Sequence, residues 1–139
     1  MYAELIGQLL TPRDGVITAP FGRGGVVAVA RQDLAETASI VSRNPRPHSG
    51  RTYNLVGKRV ITHQDVADRL GSAYRPGTME DLRQSLNTAG LLPFQHPMLL
   101  SIHTAAAHGF LDGTTTDITH ILGRELVDPL TVAAAAAHN

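Results

Sequence analysis

The apolar residues Tyr2, Leu5, Ile6, Leu9 and Leu10 recur at i, i+3, i+4, i+7 and i+8, the spacing of one helical face. The helix predicted over residues 2–10 stops at Thr11-Pro12, because the residue before a proline avoids the helical region. The period then changes. Residues 15–20 (GVITAP) and 26–30 (VVAVA) are short β-branched runs on either side of a glycine-rich stretch, Phe21-Gly22-Arg23-Gly24-Gly25. Both runs predict strands, and the glycines between them predict a hairpin turn.

Asp33 is expected to open a second helix, with Glu36 at the N3 spacing of a capping box. That helix continues through Ala38 and Val41 and ends in Asn44-Pro45-Arg46-Pro47. Residues 52–56 (TYNLV), between Gly50 and Gly57, predict a strand. Thr62 and Asp65 form another cap pair, Ile61 and Val66 hold the staple positions around it, and Gly71 is a natural stop. From Thr78 onward the pattern is helical only. Thr78 caps a helix carrying Met79, Leu82, Leu86 and Ala89, and a proline-bounded helix follows near residues 98–110. A short helix over residues 116–122 ends at Gly123, and Asp128-Pro129 places a cap and an N1 proline before the last one. The alanine run 133–137 reads as a frayed tail. Strands alternating with helices in front, and helices alone behind, predict an α/β sheet edge with a C-terminal helical cap, one unit over residues 1–139.

Composition narrows this picture. Hydrophobic residues make up 42% of the 139, enough for a core, but aromatics supply only 4% and tryptophan is absent, so the core must be Leu, Ile, Val and Ala. Twelve basic residues balance twelve acidic ones with no dense Lys/Arg run, which argues against a nucleic-acid partner. The absence of cysteine excludes disulfides, thiolate metal sites and cysteine nucleophiles and suits a reducing cytoplasm. Residues 86–111 carry no Asp, Glu, Lys or Arg, but Pro93, Pro97, Gln95, His96, His103, His108 and Gly109 interrupt them. They read as buried helix and turn, not as a membrane span. Glu4 and the lack of a basic leader argue against a secretory signal. A soluble, cytoplasmic protein is the expectation.

Few residues invite a catalytic reading. Tyr2 sits on the apolar stripe, where packing against Leu5, Ile6 and Leu9 is the ordinary role. Glu4 is a first-turn carboxylate favoured by the helix dipole. His103 and His108 stand five residues apart, about 140° around a helix, so they share no face. His96 and His103 share one only if a single helix includes Pro97, and no metal site is predicted. There is no G-x-S-x-G elbow, and neither Tyr53 nor Tyr74 is followed by lysine at the Y-x-x-x-K spacing.

The ordered segments Met1-Tyr2-Ala3-Glu4, GVITAPFGRGGVVAVARQDLAETAS, GRTYNLVGKRVITHQDVADRL, TMEDLRQSLNTAGL and TDITHILGRELVDPL resemble the C-terminal half of the NmrA-like family. These are atypical short-chain dehydrogenase/reductases that include NAD(P)H-dependent quinone oxidoreductases and redox-sensing regulators. The likeness covers nearly the whole chain. Leu5 stands where the family usually has Asn, and residues 71–77 are shorter than usual, which predicts the loss of a strand before the Thr78 helix. The resemblance implies a partial Rossmann-like sheet edge without the N-terminal dinucleotide-binding half. It implies that Tyr2 contacts the NAD(P)H cofactor or the substrate, and that Phe21 and Arg31 flank the strands lining the substrate side. The glycine cluster at 22–25 leads into a strand, not a helix, so it fails the context of a dinucleotide loop.

Two functions follow from the resemblance. One is the substrate-binding portion of an oxidoreductase that passes hydride to a quinone-like small molecule, not a complete cofactor-dependent enzyme by itself. The other is a non-catalytic regulatory or interaction module. In either case the apolar stripe 2–10 is expected to lack cover within this chain, leaving the first helix mobile or available for self-association.

Overall fold

A computed structural model describes residues 1–137. Helix α1 (Ala3–Leu9) leads to strand β1 (Val16–Ala19), strand β2 (Gly25–Val27) and helix α2 (Arg31–Arg43). Strand β3 (Val60–Thr62), helix α3 (His63–Leu70) and strand β4 (Ala73–Pro76) come next. Helices α4 (Met79–Asn87), α5 (Gln95–Ala107), α6 (Ile118–Leu122) and α7 (Pro129–Ala136) complete the α/β fold.

The strands form two separate pairs. β1 runs parallel to β4 with Thr18 opposite Arg75, and β2 runs antiparallel to β3 with Val26 opposite Ile61. The expected hairpin between β1 and β2 is therefore absent, because each strand pairs elsewhere. The glycines between and within them serve close packing instead. A Cβ on Gly24 would lie 1.9 Å from the Ala106 carbonyl oxygen of α5, and one on Gly25 would lie 2.5 Å from Val60 Cγ1. A second correction concerns residues 71–77, which do hold a strand, β4. A third concerns residues 52–56, which form no ladder. Asn54 instead exchanges bonds with Asp117: its N–H donates to Asp117 Oδ2 at 2.7 Å and its carbonyl accepts from the Asp117 N–H at 2.9 Å.

The cap pairs at Thr62/Asp65 and Thr78/Asp81 form as capping boxes, and Gly71 ends α3 in the left-handed conformation. The pair at Asp33 and Glu36 does not. α2 begins two residues earlier, with Ala30 as its cap, so both carboxylates lie inside the helix. Asp33 is wholly buried; its Oδ2 accepts from the Val127 N–H at 2.9 Å, and its Oδ1 faces the Arg124 guanidinium at 2.9 Å. That second contact is an ion pair rather than an aligned hydrogen bond. Glu36 binds the same guanidinium. A burial cost that would be severe for a lone carboxylate is met by one long-range cation and one backbone donor. The trio ties α2 to the segment before α7.

The polyalanine tail is also a correction. α7 is an ordered helix, and Ala133 and Ala134 are buried. It lies against α1 so closely that a Cβ on Gly7 would sit 2.0 Å from the Ala133 carbonyl oxygen. Only small residues on both sides permit that approach, and alanine is the best intrinsic helix former. α1 is thereby covered within the chain: Ile6 and Leu10 are buried, Leu5 and Leu9 are partly buried, and Tyr2 alone of the five is exposed. α5 begins at Gln95, so Pro97 falls in its first turn, where a missing N–H costs no helical bond. Among the described residues, no helix is long and apolar enough to cross a membrane.

Candidate functional site

The first feature is built where α1 begins. Tyr2 is extended and forms a parallel bridge with Val29: the Val29 N–H donates to the Met1 carbonyl and the Ala3 N–H to the Val29 carbonyl, both at 3.0 Å. This pairing sets Tyr2 beside Arg31, two residues further along, whose guanidinium lies 5.1 Å from the centre of the tyrosine ring. Such an exposed cation–π contact contributes about 0.5–1 kcal/mol. The Glu4 carboxylate accepts from the Arg31 N–H at 3.1 Å. It thus supplies from α1 the cap that Ala30, lacking a side-chain acceptor, cannot give to α2. Tyr2, Arg31 and Leu34 line a shallow hollow of ≈ 350 Å³. Tyr2 is 46% exposed, so the packing role expected from its place on the stripe does not hold.

The second feature is a cleft of ≈ 700 Å³ at the other end of α1. Gln8 and Leu9 form one wall, and at about 1.5 Å per helical residue they stand roughly 10 Å along the axis from Tyr2. Strand alternation supplies the next wall. Val16 and Thr18 of β1 and Arg75 of β4 face the cleft, while Ile17 between them is buried in the core. Leu82 and Leu86 of α4 and Ala89 just after it close the opposite side, and His103 of α5 completes the lining.

His103 belongs to a column of four stacked rings drawn from four elements. Tyr74 of β4 lies 5.3 Å from His63 of α3, His63 lies 4.1 Å from Phe21 after β1, and Phe21 lies 4.3 Å from His103. Burial, aided by the charge of His103 and opposed by Asp65, lowers the His63 pKa to about 4. Burial also lowers that of His103, against the hydrogen bond to Leu99. Both rings are therefore neutral near pH 7. His103 Nδ1 faces the Leu99 carbonyl at 2.8 Å and must donate to it, which leaves Nε2 as the unprotonated nitrogen. The Tyr74 hydroxyl donates to the Ala19 carbonyl at 3.0 Å, and burial raises its pKa.

Of the three residues singled out from the sequence, the structure brings Tyr2 and Arg31 together. Phe21 lies elsewhere, 1% exposed inside the column, and reaches the cleft only through His103. Arg13 and Arg75 escaped the sequence reading, and His103 entered it only as a candidate metal ligand. Arg75 and His103 come to the cleft through parallel pairing and helix packing between segments far apart in the chain, which no local pattern announces. The glycine turn offers no room for a pyrophosphate, since Gly24 is pressed against α5. The described residues thus fit a flat ring at Tyr2 and Arg31 but not the phosphates of a dinucleotide. Among the described residues, no group of three or more His, Asp or Glu side chains gathers as metal ligands.

Neither a protein-family model nor a curated protein matches the chain. Solved structures do share its fold. A Citrobacter sp. triphenylmethane reductase matches with a TM-score of 0.80 at 24% identity, over 100% of this chain and 51% of that one. The same reductase has been solved in complex with NADP(H). An NADPH-dependent quinone oxidoreductase from Escherichia coli matches with a TM-score of 0.76 at 23% identity, over 99% of this chain and 52% of that one. A nucleoside-diphosphate-sugar epimerase from Staphylococcus aureus matches with a TM-score of 0.76 at 19% identity, over 96% of this chain and 49% of that one. The chain spans about half the length of these proteins. Its fold is the partial Rossmann-like arrangement found in about half of each of these proteins.

Proposed function

We propose that this chain is the substrate side of an NAD(P)H-dependent oxidoreductase acting on a quinone-like small molecule. Its dinucleotide phosphates would be held by residues beyond these 139. The observation that carries the reading is the pairing of Tyr2 with Arg31 at one end of α1 and an open, mostly apolar cleft at the other. In this reading Tyr2 and Arg31 touch the cofactor, and its nicotinamide ring lies at the cleft, roughly 10 Å further along α1, because hydride transfer needs the reacting atoms about 3–3.5 Å apart. Phe21 sets the position of His103 at the acceptor. The likeness in fold to an NADPH-dependent quinone oxidoreductase and a triphenylmethane reductase supports the class of chemistry.

The test is a nitrogen–proton NMR titration of the chain with 2-methyl-1,4-naphthoquinone. Shifts should concentrate in residues 8–20, 75–89 and around His103, and the change Leu82→Asp should weaken binding about tenfold or more by charging an apolar wall. Shifts spread elsewhere, or none at saturating quinone, would remove the reading. A second reading, a non-catalytic interaction module that self-associates or docks a partner, draws on the exposed apolar side chains Leu92, Phe94 and Phe110 of the helical cap. Light scattering tests the self-association arm of that reading, since a concentration-independent monomer excludes it.

A further inference from the structure

The cleft carries a charge pattern that its apolar walls do not explain. Arg13 comes from the turn before β1 and Arg75 from β4, and both line the same space. Among the described residues neither guanidinium has a carboxylate within 4.0 Å, whereas Lys58, Arg59, Arg83 and Arg124 each do. Two carboxylates also line the cleft. Asp81 is drawn back into the cap of α4, where it accepts from the Thr78 N–H at 3.0 Å and the Thr78 hydroxyl at 2.7 Å. Asp14 is exposed in the turn beside Arg13 and takes part in none of the ion pairs among the described residues. The two cations are thus left without an ion-pair partner, while the Asp81 carboxylate is already bonded to Thr78.

We propose that the cleft takes an anionic aromatic ligand, an apolar ring system bearing a sulfonate, carboxylate or phosphate group, with the ring between β1 and α4 and the charge on Arg13 and Arg75. This narrows the acceptor class of the preceding section and rests on that reading for its redox meaning only. The guanidinium fork suits such groups because its parallel N–H donors match two oxygens of a planar or tetrahedral anion. Arg75 is the register partner of Thr18 in the β1–β4 pair, and both line the cleft.

The experiment compares binding of 1,4-naphthoquinone-2-sulfonate, neutral 2-methyl-1,4-naphthoquinone and redox-inert naphthalene-2-sulfonate to the full chain by calorimetry. Two partly exposed charge pairs should favour the sulfonates by roughly tenfold. The preference should shrink as salt shortens the screening length below ~10 Å. It should vanish in Arg13→Gln/Arg75→Gln and survive in Arg51→Gln, an exposed arginine outside the cleft. Circular dichroism confirms that each variant is folded. Equal affinity for the neutral and anionic rings, or a preference that persists in the double variant, overturns the proposal and leaves the oxidoreductase reading intact. Arginine-dependent binding of both sulfonates with no perturbation by the neutral quinone supports the anion site and removes the oxidoreductase reading instead.

Discussion

Acid should loosen this protein well above the pH at which carboxylates titrate, and His63 is the reason. Its pKa falls from 6.5 to about 4 because the ring is buried beside His103 and stacked on Phe21. The unfolded chain therefore binds the proton more tightly than the folded one. His63 contributes full stability above pH ~6.5, and that contribution is lost as pH falls toward ~4. At about pH 5 the ratio of proton-binding factors between unfolded and folded states is roughly 30, worth about 2 kcal/mol from this group alone. His103, lowered in the same direction, adds to it. With an m-value near 2 kcal/mol/M, typical for urea, the unfolding midpoint should drop by roughly 1 M between about pH 7.5 and pH 5. Urea titrations at the two pH values, followed by circular dichroism, measure this directly. His63→Phe keeps an aromatic ring in the column and removes the proton site, so its pH dependence should flatten by most of that 2 kcal/mol. A wild-type midpoint that does not move, or a His63→Phe variant that loses as much as wild type, would refute the argument.

Two further outcomes test the packing. Gly7→Val should destabilise by about 3 kcal/mol or more, since its side chain would collide with the Ala133 carbonyl and the cost of overpacking begins near 1–3 kcal/mol; thermal unfolding reads it. Asp33→Ala should cost ~1–3 kcal/mol by stranding the Val127 N–H and half of the Arg124 pairing. Glu36→Ala, whose partly exposed carboxylate shares that cation, should cost less than ~1 kcal/mol; equal losses in urea unfolding would show that the two carboxylates are not distinguished by burial.

The legible parts of this molecule are those governed by neighbours in the chain. The caps at Thr62, Thr78 and Asp128 and the stop at Gly71 were readable because a capping bond spans only two or three residues. The approximate places of the seven α-helices among the described residues followed from apolar spacing and proline boundaries. The same local logic misled at Asp33, where cap-and-N3 spacing coincided with an ion pair to a residue almost a hundred positions away. The family comparison misled at residues 71–77, where a short Gly- and Pro-bounded segment becomes a strand because β1 offers it a parallel edge.

By itself, then, the sequence determined the α/β class, most of the helix ends and the lack of a dense Lys/Arg run or any cysteine, because these depend on composition and short-range periodicity. Only the tertiary structure decided that Tyr2 is exposed under Arg31, that polyalanine is a buried helix against Gly7, and that His63, Phe21 and His103 form one column. Those outcomes rest on contacts between elements that local spacing does not encode. Whether a ring or a charge ends in solvent, core or cleft is settled by the surface that packs against it.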